Sequence, residues 1–122
     1  MFEATVTKQI EDERIGDLLT GAFEGGSNYW YSITEYINPT NEKVEFKCSE
    51  LPLLKDCGVM IGDLEDEDAK PILLNREALV KGLKVLEEKY VWHLNNFLDE
   101  SDDAETSDAF LQCCLFGEIV YS

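Results

Sequence analysis

From Phe2 to Gln9 the chain alternates, with Phe2, Ala4 and Val6 opposed to Glu3, Thr5 and Thr7, the two-residue period of a half-buried strand over 2–9. The period then changes. Ile15, Leu18, Leu19, Ala22 and Phe23 recur at spacings of one, three and four, which predicts a helix over 12–24, capped by Asp12 and ended by Gly25-Gly26. Ser27 to Ile37 is rich in aromatic and β-branched residues and is closed by Asn38-Pro39-Thr40-Asn41, the pattern of a strand and a turn. Lys43 to Cys48 alternates strictly and completes a predicted hairpin, with Val44, Phe46 and Cys48 inward. Leu51-Pro52-Leu53-Leu54 is apolar but interrupted by proline, so it reads as a packed loop. Residues 57–64 are apolar at successive positions, as in a central strand covered on both faces.

The longest periodic stretch follows. Asn75 caps a predicted helix over 76–99 in which Leu79, Leu83, Leu86, Tyr90, Leu94 and Phe97 form one apolar stripe. A third helix is predicted over 104–116, with Asp102 and Asp103 at the positive end of its dipole and Gly117 as its stop. Ala109, Phe110, Cys113, Cys114 and Leu115 leave that helix little polar surface, which places it among other elements. Glu118 to Ser122 reads as a short pairing strand. The order of strand, helix, hairpin, strand and two helices is too irregular for a doubly wound fold. It predicts a single α+β domain over 1–122, an antiparallel sheet of three to five strands with about three helices packed mainly on one face.

Charge narrows the partners. The 122 residues carry 26 Asp plus Glu against 10 Lys plus Arg, a formal net charge of −16. A globule of this mass exposes about 6,700 Å², so each net charge has roughly 400 Å². Such a surface repels a nucleic-acid backbone and an anionic bilayer and attracts a basic protein surface. With 44% hydrophobic and 11% aromatic residues, the acid belongs to a folded surface rather than a disordered tail. No apolar run approaches the ~18 residues of a membrane span, and Met-Phe-Glu-Ala-Thr-Val-Thr-Lys lacks the basic start and apolar centre of a signal peptide, so a cytoplasmic location is expected. Cys48, Cys57, Cys113 and Cys114 match no zinc spacing and read as reduced, semi-buried thiols; neither metal nor cofactor is expected.

Candidate chemistry is sparse. His93 lies beside the apolar stripe of the long helix, where a packed histidine is the simpler reading than a catalytic base. Nucleophile elbows, zinc-binding histidine pairs and phosphate-binding glycine loops are all missing, so no catalytic residue is assigned and a non-enzymatic role is expected. The run Asp63, Glu65, Asp66, Glu67 and Asp68 invites calcium, but the turn glycine is absent and Asn75 or Leu74 stands where the bidentate Glu is required. As surface charge, these five acids together with Asp99, Glu100, Asp102 and Asp103 form the candidate partner-binding residues; Glu105 and Asp108 extend the second group. Gly25-Gly26-Ser27 delivers Asn28, Tyr29, Trp30 and Tyr31, a candidate ligand-binding set. On a strand, Tyr29 and Tyr31 share one side and Trp30 takes the other, so the same residues also read as core and outer sheet.

Gly21-Ala22-Phe23-Glu24-Gly25-Gly26-Ser27-Asn28-Tyr29-Trp30 and Asp108 to Tyr121 resemble paired signatures of small uncharacterised acidic proteins carried by bacteriophages and prophages. The resemblance is good at these two segments and poor over 38–70. It implies a small protein acting in the host cytoplasm, in a setting where counter-defence factors are common, and brings no catalytic residue. The leading expectation is therefore a protein that binds and inhibits a basic, nucleic-acid-binding host protein through its acidic clusters, imitating phosphates with carboxylates. The alternative is a binder that sequesters a nucleotide-like signal with Asn28, Tyr29, Trp30 and Tyr31. The scarcity of arginine, Arg14 and Arg76 alone, counts against an anionic ligand. Homo-oligomer formation stays open.

Overall fold

A computed structural model describes residues 2–3, 9–38, 49–100 and 103–121. The order is β1 (Phe2–Glu3), β2 (Gln9–Ile10), α1 (Asp12–Gly21), a π-helical turn (Ala22–Gly26), β3 (Tyr31–Ile37), a 3₁₀ turn (Leu51–Leu53), β4 (Gly58–Asp63), β5 (Ile72–Leu74), α2 (Arg76–Lys89), α3 (Val91–Leu98) and α4 (Ala104–Phe116). The architecture is α+β, with an antiparallel sheet in the order β3-β4-β5. β4 is the central strand, as its apolar run predicts; Val59 and Ile61 are buried with Leu74 of β5 beside them. Tyr31 stands opposite Asp63 and Ile37 opposite Gly58, with a bulge between Ile33 and Glu35. The predicted strand over 43–48 and most of the turn before it lie outside the described residues.

Phe2 stands opposite Ile10 and Glu3 opposite Gln9, so the ends of the expected strand over 2–9 pair antiparallel as a separate two-stranded sheet, while residues 4–8 lie outside the described residues. One extended strand would hold its ends ~25 Å apart. A period of two persists along both arms of such a pair, which is why alternation alone does not reveal the reversal. In α1 the predicted stripe is buried, Ile15, Leu18 and Leu19 all inaccessible. The cap differs. Glu11 takes the N-cap position without a side-chain bond, while Asp12 spends its carboxylate on Arg76, with two oxygen–nitrogen distances of 2.9 Å.

The predicted helix over 76–99 is divided at Tyr90, whose φ of −134° and ψ of 50° interrupt the helical path. Tyr90-Val91-Trp92 is a run of weak helix formers. The Tyr90 hydroxyl accepts the Ile119 amide at 3.0 Å, and Lys89 donates to the Gly117 carbonyl at 3.3 Å, so the C-terminal segment grips the joint. Asn75 caps α2 as expected, accepting the Ala78 amide at 3.0 Å. Asp103 caps α4 by accepting the Thr106 amide at 3.0 Å, and Gly117, at φ 74°, ends it. Every residue from Thr106 to Leu115 is buried. α4 is thus the axle of the fold, packed by α1, α2 and α3. At Gly82 the chains approach so closely that an added Cβ would lie 2.9 Å from the Cα and amide nitrogen of Cys114.

Glu118 to Tyr121 forms no strand, contrary to expectation. Gln112, fully buried in α4, takes over the ladder's role: its Oε1 accepts the Val120 and Tyr121 amides at 2.7 and 2.8 Å, and its Nε2 donates to the Tyr121 carbonyl at 2.9 Å. A side chain thereby satisfies backbone groups that would otherwise need a neighbouring strand. Among the described residues no helix is long and apolar enough to cross a membrane.

Candidate functional site

Trp30 is the pivot. It follows the π-helical turn, is fully buried, and its ring packs against Phe116 and Tyr121 with centroids 5.3 and 5.8 Å away. Its indole nitrogen donates to Asp108 Oδ1 at 2.7 Å, the Ser27 hydroxyl donates to the same oxygen at 2.7 Å, and the Tyr29 hydroxyl donates to Oδ2. Asp108, counted from sequence with the surface acids, is therefore an interior residue, 7% exposed. Its three donors are uncharged, and they offset the desolvation that an unaided carboxyl would suffer. Burial and the adjoining carboxylate raise the Tyr29 hydroxyl well above its ordinary range. Gly26 makes this packing feasible, since an added Cβ would collide with the Ala104 carbonyl at the start of α4.

One turn along α4, Gln112 links the Tyr29 hydroxyl, 3.5 Å away, to the C-terminal segment. The Tyr121 hydroxyl then donates to Asp63 Oδ2 at 2.6 Å, and the Leu64 amide donates to the Trp30 carbonyl at 2.6 Å. Hydrogen bonding to Asp63, desolvation and the negative charge of Asp63, Asp66 and Glu65 push Tyr121 up to about 12. A continuous polar network thus runs from Ser27 through Asp108, Tyr29 and Gln112 to the segment ending in Tyr121, and on to Asp63.

The acidic run 63–68 begins on this network. Asp63 Oδ1 accepts the Glu65 amide at 2.9 Å and Asp66 Oδ1 accepts the Asp68 amide at 3.2 Å, so the loop folds on its own carboxylates. Glu65, Asp66, Glu67 and Asp68 remain exposed. Among the described residues no group of three or more His, Cys, Asp or Glu converges as metal ligands would. In the second acidic group, Asp99, Glu100 and Asp103 are exposed, and Asp102 lies outside the described residues. Asp103 also caps α4, and it precedes Asp108 by about 7.5 Å along the helix axis.

The candidate ligand set is split by the fold. Asn28 is exposed and Tyr29 is 43% exposed, whereas Trp30 is core and the Tyr31 hydroxyl donates to the Phe23 carbonyl. Tyr29 precedes β3 rather than lying in it, so strand alternation does not govern it. A cavity of about 600 Å³ lies at the other end of β3, lined by Ile37, Leu54, Cys57, Leu73 and Arg76 among others. Six residues of strand, roughly 20 Å, separate that end from Tyr31. Burial raises the Cys113 thiol to about 12 and Cys114 well above its usual range, which disfavours the thiolate at both. His93 is buried, its ring tilted against that of Trp92 with centroids 5.5 Å apart, and its Nδ1 lies 3.4 Å from Thr106 Oγ1.

Sequence reasoning counted Asp108 with the surface acids and gave Gln112 and Tyr121 no role in a site. For Asp108 and Gln112 the signal was two polar residues at i and i+4 among the apolar Ala109, Phe110, Leu111, Cys113, Cys114 and Leu115. Comparison of the chain with family models, with curated proteins and with solved structures finds no match.

Proposed function

We propose that this is a non-enzymatic binding protein that covers a basic, nucleic-acid-binding surface of another protein, with the 63–68 loop as its main contact. The observation that carries this reading is the contrast between the loop's two parts. Asp63 and Leu64 are tied to Tyr121 and Trp30, while the four acidic residues that follow are exposed on a loop whose backbone bonds to the Asp63 and Asp66 carboxylates. Charges carried on a bonded loop recognise a charge pattern with less backbone ordering cost than a mobile tail. The net charge of −16 steers such a partner from a distance. The resemblance to phage proteins supplies the setting, a host protein as target and inhibition as the outcome. Sequestration of a nucleotide-like ligand is supported less, because Trp30 and the Tyr31 hydroxyl are committed to the interior.

The test is capture of basic proteins from a bacterial lysate on the immobilised protein, beside a variant carrying Glu65→Gln, Asp66→Asn, Glu67→Gln and Asp68→Asn. Asp63 is left intact because it holds the loop. The parent is expected to retain nucleic-acid-binding proteins at low salt and to release them to added duplex DNA, and the folded variant to retain far less. Equal retention by the variant overturns the reading.

A further inference from the structure

Three large apolar side chains stand in water on residues bonded to this network: Tyr29 at 43%, Leu64 at 57% and Val120 at 50% exposure. None is a loose loop tip. The Tyr29 hydroxyl is held by Asp108 and Gln112, the Val120 amide is bound to Gln112 Oε1, and the Leu64 amide is bound to the Trp30 carbonyl. The network therefore holds the Tyr29 ring and the backbone of Leu64 and Val120, and the apolar area left wet there is unfavourable until something covers it. Asp63, Glu65 and Asp66 flank Leu64 in the chain, and Glu118 stands two positions before Val120.

We propose that these three residues form a patch that docks a basic amphipathic segment of the partner protein, seating a large apolar side chain among Tyr29, Leu64 and Val120 while Lys or Arg residues on either side meet Asp63, Glu65 and Asp66. The inference rests on the reading above that the partner is basic, and it adds that charge alone does not make the contact. Charge also selects the occupant. A second copy of this chain would bring −16 against −16, and an anionic lipid surface would be repelled in the same way. A segment that alternates cationic and apolar residues satisfies both halves of the surface, with apolar burial giving residence and charge giving approach.

Two short synthetic peptides test it. One arranges Lys and Leu in helical amphipathic order; the other has the same charge with every Leu replaced by Ser. Titration against the parent protein, followed by anisotropy of a label on the peptide, is expected to show the Leu peptide binding about tenfold tighter or more. The gap is expected to persist as salt rises, because apolar contact is not screened. Leu64→Ser with Val120→Ser, which leaves every backbone bond of the network in place, is expected to close most of the gap without changing binding of the Ser peptide. If that pair does not fold, judged by circular dichroism, Leu64→Lys at the most exposed position serves instead and must weaken both peptides. Equal binding of the two peptides to the parent overturns the amphipathic contact and leaves the charge reading standing. Failure of both to bind at low salt overturns the charge reading itself. A Leu preference untouched by the substitutions also overturns the proposal, because the apolar contact then lies elsewhere.

Discussion

Asp108 shows how one residue's environment can reverse the reading of its type. In a chain with 26 acids another aspartate in a helix's second turn looks like surface, yet this one collects three donors from a turn some eighty residues earlier. Asp108→Ala would leave the Ser27 hydroxyl and the Trp30 indole nitrogen buried without acceptors, and is expected to lower the unfolding free energy by about 3 kcal/mol in urea titrations. Gln112→Leu is expected to cost ~2–4 kcal/mol in the same measurement, since three backbone groups of residues 120–121 lose their partner. The thiols give a chemical test: Cys113 and Cys114 are expected to resist alkylation near pH 8 in the native protein and to react once it is unfolded. Asp12 gives a titration test. Its bonds to Arg76 hold it down to about 2, below an unfolded value near 3.9, so its contribution is complete above about pH 4 and disappears as pH falls through about 2. With the side chains 37% and 42% exposed, the pair contributes at most ~1 kcal/mol, and Asp12→Asn is expected to flatten the acid-unfolding curve over that window.

At the scale of elements, what the sequence disclosed depended on whether the cause was local. Asn75, Asp103 and Gly117 act within a turn of the helix they delimit, and the boundaries they mark were legible to the residue. β4 was legible as a central strand because burial on both faces leaves an unbroken apolar run. The division at Tyr90 was not, because the weak helix formers Tyr90-Val91-Trp92 leave the apolar stripe unbroken and the bonds that grip the joint come from Gly117 and Ile119, far along the chain. The same holds for Glu118 to Tyr121, whose β-branched and aromatic residues suggest a strand while Gln112 supplies their hydrogen bonds. Of the candidate site, the acidic loop and the aromatic turn were each visible as segments; their joining through Tyr121 and Trp30 was not, since nothing in either segment names the other. α2 and α4 meet at a position where only glycine fits. Gly82→Ala is expected to force the helices apart and to cost ~2–3 kcal/mol, although alanine is the better helix former.

For the whole molecule, charge opposes compactness. The folded surface of 7175 Å² carries the net −16, and its self-repulsion is screened by salt. Thermal stability is therefore expected to rise with ionic strength over the range in which partner binding falls, a divergence readable by calorimetry and by the capture assay. The four-acid neutralised variant is expected to melt at an equal or higher temperature than the parent, which separates loss of binding from loss of fold. The polar joint around Asp108 bears on time as well as on equilibrium. Its bonds span 78 to 83 positions in sequence, and the tie from Tyr121 to Asp63 spans 58. Loop closure over such distances comes late in folding, after neighbouring helices have paired. Asp108→Asn is thus expected to steepen unfolding with little change in the refolding rate when both are followed by stopped flow. The protein's lifetime against proteases would then be governed by how seldom one buried carboxylate releases its three donors.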